Sequence, residues 1–505
     1  MSRARTIMVQ GTASSAGKSI MVAALCRIFK QDGYKVAPFK SQNMALNSYV
    51  TAGGGEIGRA QVVQAEAAGI LPTVDMNPVL LKPTTDTGSQ VIVMGKVLRN
   101  ISARDYYNYT PDLLKTIMEA LERLRSEYDI VVIEGAGSPA EINLKEREIV
   151  NMRIARESRS PVLLVGDIDK GGVFASLVGT LELLDQDERD LIRGLIINKF
   201  RGNVSLLQDA LDFVAERTGK PVLGVVPWFR DIRIAQEDSV FLDERPPSDG
   251  DGDIDIAVIR LPHISNYDDF DPLEEEGCNV HYVTQRFEFG NPHLIIIPGT
   301  KSTVADLEYL RTSGLGNIIL SKAKAGTPVV GICGGYQMLG QKIIDADNVE
   351  SAAKEVAGLG LLDAVTEFAP EKSTTQARAR VAADSGLLAG MAGQEISGYE
   401  IHMGRTRGEE PAPAFTIVET PDGPVNYADG TVNAAGTVLG TYLHGIFCND
   451  GFRQIFLNNL RRHCGIAENE GGVALSRDRE YDKLADLVRN SLDIPAVYRI
   501  MEEMA

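Results

Sequence analysis

The chain has 505 residues, 44% of them hydrophobic and 24% charged, a composition that excludes disorder as its main character. At about 150 residues per domain, this length predicts two to four domains. The 51 basic and 69 acidic residues give a net charge of −18, which argues against binding to a nucleic-acid backbone and against a polybasic membrane anchor.

The compartment is predicted from cysteines and from the absence of targeting patterns. Five cysteines are widely spaced and form no CxxC pair, which favours a reducing compartment over a disulfide framework. The N-terminal residues lack a signal-peptide pattern, and no apolar run reaches the roughly 18 residues of a transmembrane helix. We therefore expect a cytoplasmic protein without a membrane or nucleic-acid partner.

The first half of the chain alternates apolar strands with helical patterns. A strand at 6–10 precedes a helix at 19–30, and a second strand follows at 34–38. Continuous rather than alternating hydrophobicity is typical of parallel strands that are buried on both faces. The alternation therefore predicts an α/β domain with a doubly wound, mostly parallel sheet. Further apolar runs lie at 129–133, 162–165, 195–197 and 222–226.

A linker divides the chain near its middle. Residues 243–253 are rich in proline, glycine and acid, and no apolar residue occurs there. A second α/β pattern follows, with strands predicted at 254–259, 280–283, 294–297 and 329–332, and the stretch 364–438 reads as β-rich. We predict domains at 1–242 and 254–450, joined by linker 243–253, and a helical C-terminal extension at 451–505, which is a candidate homodimer surface.

A phosphate-binding loop is predicted between the first strand and the first helix. The small residues of 11–19 let backbone N–H groups wrap a phosphate at a helix N-terminus, although a turn without a ligand is the alternative. Lys18 is expected to contact the terminal phosphates of ATP, and Ser19 to bind Mg²⁺. Five residues, not four, separate Gly11 from Gly17, and this longer loop resembles that of the dethiobiotin synthetase family, which activates carboxyl-type groups with ATP. The predicted ATP contacts in the loop are Gly11, Thr12, Ser15, Ala16, Gly17, Lys18 and Ser19.

Three residues at other strand ends are candidates for the same site. Glu134 follows the strand at 129–133 and is well placed as a second Mg²⁺ ligand. Lys40 ends the second strand and could hold a phosphate or a reacting carboxylate, with a surface lysine as the alternative. Asn198 closes another strand and is a candidate contact to adenine.

A cysteine in the second half carries the signature of a nucleophile. Cys333 lies between a buried strand and a helix in Gly-Ile-Cys-Gly-Gly, which is a cysteine version of the nucleophile elbow. His444 ends another apolar stretch and is the leading candidate for its base. The backbone N–H groups of Gly299 and Gly334 are candidates for an oxyanion hole.

These residues resemble the class I glutamine amidotransferase domain. The resemblance implies that the cysteine attacks the side-chain amide of glutamine and releases ammonia. The usual family has His-x-Glu, whereas Ile446 stands two positions after His444. The third member is therefore absent or supplied from elsewhere. Glu400 is one candidate, but Glu400 and His402 are equally consistent with structural roles.

The combination of both halves resembles the cobyric acid synthase family. The matching segments are spread over nearly the whole chain, at 38–48, 167–176, 261–273 and 398–404. The resemblance implies ATP- and glutamine-dependent amidation of the b, d, e and g carboxylates of a corrin, adenosylcobyrinic acid a,c-diamide. Cobyrinic acid a,c-diamide synthase, which amidates two other carboxylates, is an alternative. So is a P-loop ATPase switch whose second domain is not catalytic.

Amide and acidic side chains near the predicted ATP site are candidates for orienting the propionates of the corrin. Because the corrin is an anion and the chain is acidic, we also expect a local basic pocket around Lys18 and Lys40. The candidate substrate residues are Gln42, Asn43, Asn47, Glu148 and Asn151.

Overall fold

The computed structural model describes residues 3–85, 88–102, 106, 108–229, 231–235, 252–408, 413–469, 471 and 476–504. The chain forms two compact units. Unit 1 comprises Met1–Ala45, Ile57–Ala235 and Ser476–Ala505, and unit 2 comprises Leu46–Glu56 and Gln236–Leu475. Residues 243–251 of the predicted linker lie outside the described residues.

The predicted strands of the first half are present, with additional strands between them. The strands in residues 1–235 are β1 (Arg5–Gly11), β2 (Val36–Phe39), β3 (Gln42–Met44), β4 (Ser48–Val50), β5 (Glu56–Gly58), β6 (Val79–Thr85), β7 (Gly88–Val93), β8 (Lys96–Ser102), β9 (Ile130–Glu134), β10 (Val162–Asp167), β11 (Ile192–Phe200) and β12 (Val222–Pro227). The helices in these residues are α1 (Lys18–Gln31), α2 (Arg59–Ala68), α3 (Thr110–Glu127), α4 (Met152–Ser158), α5 (Val173–Leu183), α6 (Gln186–Leu191) and α7 (Gln208–Thr218).

The central sheet of unit 1 is parallel and has the order β12-β11-β10-β1-β9-β2. Its faces are buried in two different apolar clusters, with Met8 and Ile133 in one and Ile7 and Val132 in the other. Burial on both sides is the reason that these strands have no polar alternation. The doubly wound parallel sheet predicted from the sequence is confirmed.

A smaller sheet of unit 1 was not predicted. It has the order β3-β6-β7-β8, with antiparallel pairing from β6 to β8. Met94 and Gly95, between β7 and β8, both have positive φ, at 47° and 75°. Two consecutive positive φ values suit the tight turn of a β-hairpin, but methionine is not a residue that signals such a turn.

Unit 2 contains a second mixed α/β arrangement. Its strands after residue 252 are β13 (Asp255–Ile259), β14 (Asn279–Val283), β15 (Leu294–Ile297), β16 (Val329–Ile332), β17 (Lys342–Ile344), β18 (Glu355–Ala357), β19 (Ala364–Val381), β20 (Glu395–Gly408), β21 (Phe415–Thr420), β22 (Gly423–Asp429), β23 (Thr431–Val432) and β24 (Val438–Thr441). Its helices are α8 (Asp271–Glu275), α9 (Thr303–Ser313), α10 (Leu315–Lys324), α11 (Gly334–Leu339) and α12 (Asp450–Cys464). The main sheet has the order β14-β13-β15-β16-β24-β23 and is parallel except at β23. The predicted β-rich stretch forms an antiparallel ladder through β19, β20, β21 and β22.

The predicted C-terminal extension is divided between the two units. Helix α12 belongs to unit 2, whereas α13 (Arg477–Ser491) and α14 (Ile494–Glu503) belong to unit 1. Val488 and Val497 join the apolar cluster that covers one face of the central sheet. Buried Arg27 of α1 also pairs with Asp478 and Asp482, at 2.8 and 2.7 Å. The last helices therefore complete unit 1.

Within the described part of the chain, no helix combines the length and the apolar character that crossing a bilayer requires.

Candidate active sites

The loop between β1 and α1 ends at Gly17 in a backbone conformation that favours glycine. Gly17 has a φ of 99°, and a Cβ at this position would lie 2.0 Å from Nδ2 of Asn198. The same Nδ2 donates to the carbonyl of Ala16 at 2.9 Å. Asn198, predicted to contact adenine, thus lies beside the loop, and only glycine fits at position 17.

Lys18 lies inside this loop and is almost fully buried. Its Nζ donates to the carbonyls of Ala13 and Gly137, at 2.9 and 3.1 Å. Burial lowers the pKa of Lys18 to about 8; Lys40 also lowers it, while Glu134 opposes the shift. A bound phosphate would raise the pKa of Lys18 again, because an adjacent anion favours the ammonium ion.

Glu134 is the centre of a buried polar cluster at the end of β9. Its Oε1 accepts from Ser19 Oγ and from Lys40 Nζ, both at 2.8 Å. Its Oε2 accepts from the side-chain amides of Gln61 and Gln64 of α2. Burial would raise the pKa of Glu134, but Lys40 and the hydrogen bonds outweigh it and hold the pKa below its ordinary value. The one sequence signal for the two glutamines is their i, i+3 spacing on a helix, and the sequence analysis did not single them out.

Ser19 and Glu134 offer two oxygen donors at one point. Mg²⁺ prefers oxygen ligands and is commonly held by one or two carboxylates together with substrate phosphates, so this pair fits the ion. Elsewhere in the described residues, no group of three or more His, Cys, Asp or Glu side chains is arranged to hold a metal.

The predicted corrin-contacting residues have partners within the protein. Gln42 accepts from Tyr106, and Asn43 donates to Gln61 at 3.0 Å. Glu148 accepts from three backbone N–H groups at the start of α4. Asn151 Nδ2 donates to the carbonyl of Ala136 at 2.6 Å, in the loop that follows β9. Asn47 belongs to unit 2, whereas the other four residues belong to unit 1.

The second site is built around Cys333, which precedes α11 with φ 53° and ψ −110°. A Cβ at Gly335 would lie 1.9 Å from the carbonyl oxygen of Ile297, and a Cβ at Gly331 would lie 2.6 Å from Leu339. Glycine at these positions therefore allows the sharp turn that holds a non-glycine residue in the left-handed region. The strand–turn–helix context predicted for Cys333 is present.

His444 and Asp269 complete this site. Asp269 Oδ2 lies 2.6 Å from Nδ1 of His444, and both side chains are buried. Burial would lower the pKa of His444, but Asp269 and a hydrogen bond with the Cys333 side chain raise it to about 10. The imidazole therefore favours its charged form, and it lies between the Cys333 side chain and the Asp269 carboxylate.

Asp269, rather than Glu400, contacts His444. Glu400 accepts a hydrogen bond from Tyr427, and its Oε1 lies 3.6 Å from Nε2 of His402. The acidic partner of His444 could not be assigned from the sequence. It is Asp269, 175 positions away in the chain. The segment at 266–271 has three acids, and the sequence contains no local pattern that distinguishes Asp269 among them.

The predicted oxyanion-hole residues lie next to this pair. A Cβ at Gly299 would be 3.1 Å from Cε1 of His444, and one at Gly334 would be 3.2 Å from the backbone nitrogen of Thr300. The two backbone segments thus meet beside the imidazole and Cys333. Peptide N–H groups at such a position can stabilise a developing oxyanion.

Two protein-family models match this chain, one in each half. Residues 7–240 match the family model of the CobQ/CobB/MinD/ParA nucleotide binding domain. Residues 255–452 match the model of the CobB/CobQ-like glutamine amidotransferase domain.

Curated relatives extend the likeness over the full length. A cobyric acid synthase of Dehalococcoides mccartyi (strain CBDB1) is 63% identical over 99% of this chain and 99% of its own length. The cobyric acid synthase of Sorangium cellulosum (strain So ce56) is 54% identical over 99% of each chain. That of Pelotomaculum thermopropionicum is 53% identical over 99% of this chain and 97% of its own. The chain therefore belongs to the cobyric acid synthase family of ATP-dependent glutamine amidotransferase ligases.

Proposed function

We propose that this chain amidates the b, d, e and g carboxylates of adenosylcobyrinic acid a,c-diamide, using ATP to activate each carboxylate and glutamine as the nitrogen source. The observation that carries the proposal is that one chain contains two side-chain clusters, each with the chemical groups that one half-reaction needs. One is the Lys18–Ser19–Glu134 cluster, and the other is the Cys333–His444–Asp269 arrangement. The full-length identity to curated cobyric acid synthases supports the choice of substrate.

In the nucleotide site, a corrin carboxylate attacks the γ-phosphorus of ATP and forms an acyl phosphate with release of ADP. Lys18 binds the terminal phosphates, and Ser19 and Glu134 would hold Mg²⁺, which neutralises phosphate charge. When the Glu134 carboxylate binds Mg²⁺, Lys40 would lose its ion pair with Glu134. The Lys40 ammonium group could then face the anionic corrin. Ammonia attacks the acyl carbon, and phosphate leaves.

The corrin side of this site remains a proposal based on chain position. Gln42 and Asn43 directly follow Lys40, and Glu148 and Asn151 follow the loop after β9. Asn43 donates to Gln61, which itself donates to Glu134, and Asn151 donates to the carbonyl of Ala136 in the loop after β9. These bonds keep both amide side chains near the end of β9.

In the glutaminase site, the proton of the Cys333 thiol passes to His444, and the thiolate sulfur attacks the side-chain carbon of glutamine. The N–H groups of Gly299 and Gly334 would bind the oxyanion. His444, held as a cation by Asp269, gives its proton to the departing nitrogen, and ammonia leaves. Water then hydrolyses the γ-glutamyl thioester, with His444 as base, and glutamate is released.

Mass spectrometry of the corrin after incubation with ATP, Mg²⁺ and glutamine tests this function. Each conversion of a carboxylic acid to an amide changes the mass by about one unit, so the number of amides is counted directly. We expect a series ending at the fully amidated b, d, e, g product. A substrate that stays unchanged, or amidation confined to the a and c positions of cobyrinic acid, would contradict the proposal.

Replacing Cys333 by alanine separates the two half-reactions. Glutamine-dependent amidation should be lost, because the nucleophile is absent, whereas ammonium chloride should still support amidation. Cys278→Ala is a matched control, since this buried cysteine lies in the same unit without the elbow geometry. Failure of ammonium to rescue the Cys333 variant would argue against two separate sites.

A further inference from the structure

A short excursion of the chain places part of the nucleotide-binding half in unit 2. The chain leaves unit 1 after Ala45 and returns at Ile57. Residues 46–56, here called the excursion segment, lie within the range 7–240 that matches the nucleotide-binding model, yet pack in the unit that contains Cys333. Asn47, Ser48 and Val50 of this segment are buried.

The excursion segment is fixed to Asn266 through hydrogen bonds. Asn47 Oδ1 accepts from the backbone N–H of Asn266 at 2.6 Å. In return, Asn266 Nδ2 donates to the carbonyl of Ser48 at 2.9 Å. Asn266 itself has a φ of 54°, in the left-handed region. A non-glycine residue keeps such a conformation only where its surroundings hold it, and Asn47 supplies one of the bonds that do so.

Asn266 connects to both partners of the catalytic imidazole. Its carbonyl accepts from the backbone N–H of Asp269 at 3.2 Å. Its Nδ2 also donates to Tyr399 Oη at 2.8 Å. Asp269 is the carboxylate on His444 Nδ1. One asparagine thus contacts the residue that orients the imidazole and the aromatic residue beside it.

Tyr399 packs directly on His444. The two rings are stacked, with centroids 5.2 Å apart and planes inclined by 16°. Their backbones also exchange two hydrogen bonds, at 2.9 and 3.2 Å. Tyr49 of the excursion segment lies edge-on to the same tyrosine ring, at 5.0 Å. The imidazole plane is therefore held by contacts that run back to residues 46–56.

We infer that Asn47 is a positioning residue of the glutaminase site, acting through Asn266 on Asp269 and Tyr399. The inference rests on the proposed glutaminase role of Cys333 and His444, and it enlarges that site beyond the matched residues 255–452. Asn47 was predicted to orient the corrin; its placement in unit 2 argues for glutamine chemistry instead.

The test compares Asn47→Ala with Asn459→Ala in the full-length protein. Asn459 is a buried asparagine of the same unit whose Nδ2 bonds two carbonyls near residue 388, outside the site. For Asn47→Ala we expect kcat of glutamine-dependent amidation to fall about 10- to 100-fold, the range seen when an orienting partner is lost, with KM for glutamine within about twofold. Ammonium-dependent amidation should stay within about twofold of the parent, and Asn459→Ala should resemble the parent in both.

Tyr399→Phe gives a second variant that retains the stacked ring and removes only the hydroxyl that accepts from Asn266. We expect the same selective loss of glutamine-dependent kcat, and less than additive loss when it is combined with Asn47→Ala. If Asn47→Ala does not fold, the glutamine-dependent kcat of Tyr399→Phe by itself tests the inference.

Three results would overturn the inference. They are unchanged glutamine-dependent kcat in the folded variants, an equal fall of glutamine- and ammonium-dependent amidation, and full additivity of the two substitutions. Failure of the proposed function is distinguishable, because the parent protein would then show no glutamine-dependent amidation.

Discussion

The two sites differ in how far apart in the sequence their residues lie. In unit 1, Lys18 and Ser19 are adjacent at the start of α1, and Glu134 and Asn198 come from the ends of parallel strands in the same sheet. In unit 2, Cys333, His444 and Asp269 come from three distant segments. The first kind of site follows from a motif and a sheet rule, whereas the second depends on how loops pack.

The pKa values of the cationic side chains in the two sites are also shifted in opposite directions. Burial lowers the pKa of Lys18, and a bound phosphate would raise it again. A neighbouring carboxylate raises the pKa of His444 and so keeps a cation in place before any substrate arrives. In the proposed nucleotide site, a bound anion would stabilise the Lys18 cation, whereas in the other site the Asp269 carboxylate already pairs with His444.

Lys18→Ala should produce the largest loss. Because carboxylate activation precedes the use of ammonia from either source, we expect amidation to fall to background with glutamine and with ammonium chloride alike. Product counting by mass spectrometry measures this result. Retention of ammonium-dependent amidation would show that Lys18 does not serve the activation step. Arg201→Ala, at an exposed side chain of the same unit, is the control for charge.

Asp269→Asn should lower glutamine-dependent kcat by about 10²- to 10⁴-fold, because the imidazole loses both its orienting anion and the cause of its raised pKa. The sign of the pH effect follows from that cause: without the carboxylate the pKa of His444 falls. The alkaline limb of glutaminase kcat/KM should therefore move to lower pH.

Glu400→Gln compares Glu400, the candidate from the sequence, with Asp269, the acid that contacts His444 in the structure. Its amide retains an acceptor for Tyr427, and it does not contact His444, so we expect less than about a fivefold change in glutaminase kcat and an unshifted alkaline limb. A pH profile measured beside that of Asp269→Asn checks this. A larger shift for Glu400→Gln than for Asp269→Asn would reverse the assignment.

Proton uptake at Lys18 is the smallest expected effect. The pKa of Lys18 is lowered to about 8 in the free protein, and bound phosphates should raise it again. ATP binding at pH 8.5 should therefore take up a fraction of a proton, and less at pH 7.5, where Lys18 is already mostly charged. Calorimetry in buffers of different ionisation enthalpy measures the uptake. Proton release at pH 8.5 would contradict the role of Lys18.

Sequence patterns alone determined the parallel sheets, the loop at 11–19 and the elbow at Cys333. Each is local: a buried strand is a continuous apolar run, and a tight phosphate or nucleophile turn needs glycine at fixed spacing. Glu134 was found in the same way, because carboxyl ends of parallel strands meet at one edge. Family resemblance, and not spacing, supplied the corrin.

Only the tertiary structure decided which acid contacts His444, where Asn47 lies and which unit holds the last two helices. Asp269 and His444 are 175 residues apart and meet through loop packing, for which no sequence period exists. Asn47 sits near Lys40 in sequence but in the other unit in space. Helices α13 and α14 have apolar faces that can be read from the sequence. The strands and the helix against which these faces pack lie more than 250 residues earlier in the chain. Local patterns fix elements, while contacts between distant segments depend on shape and charge that only the folded chain brings together.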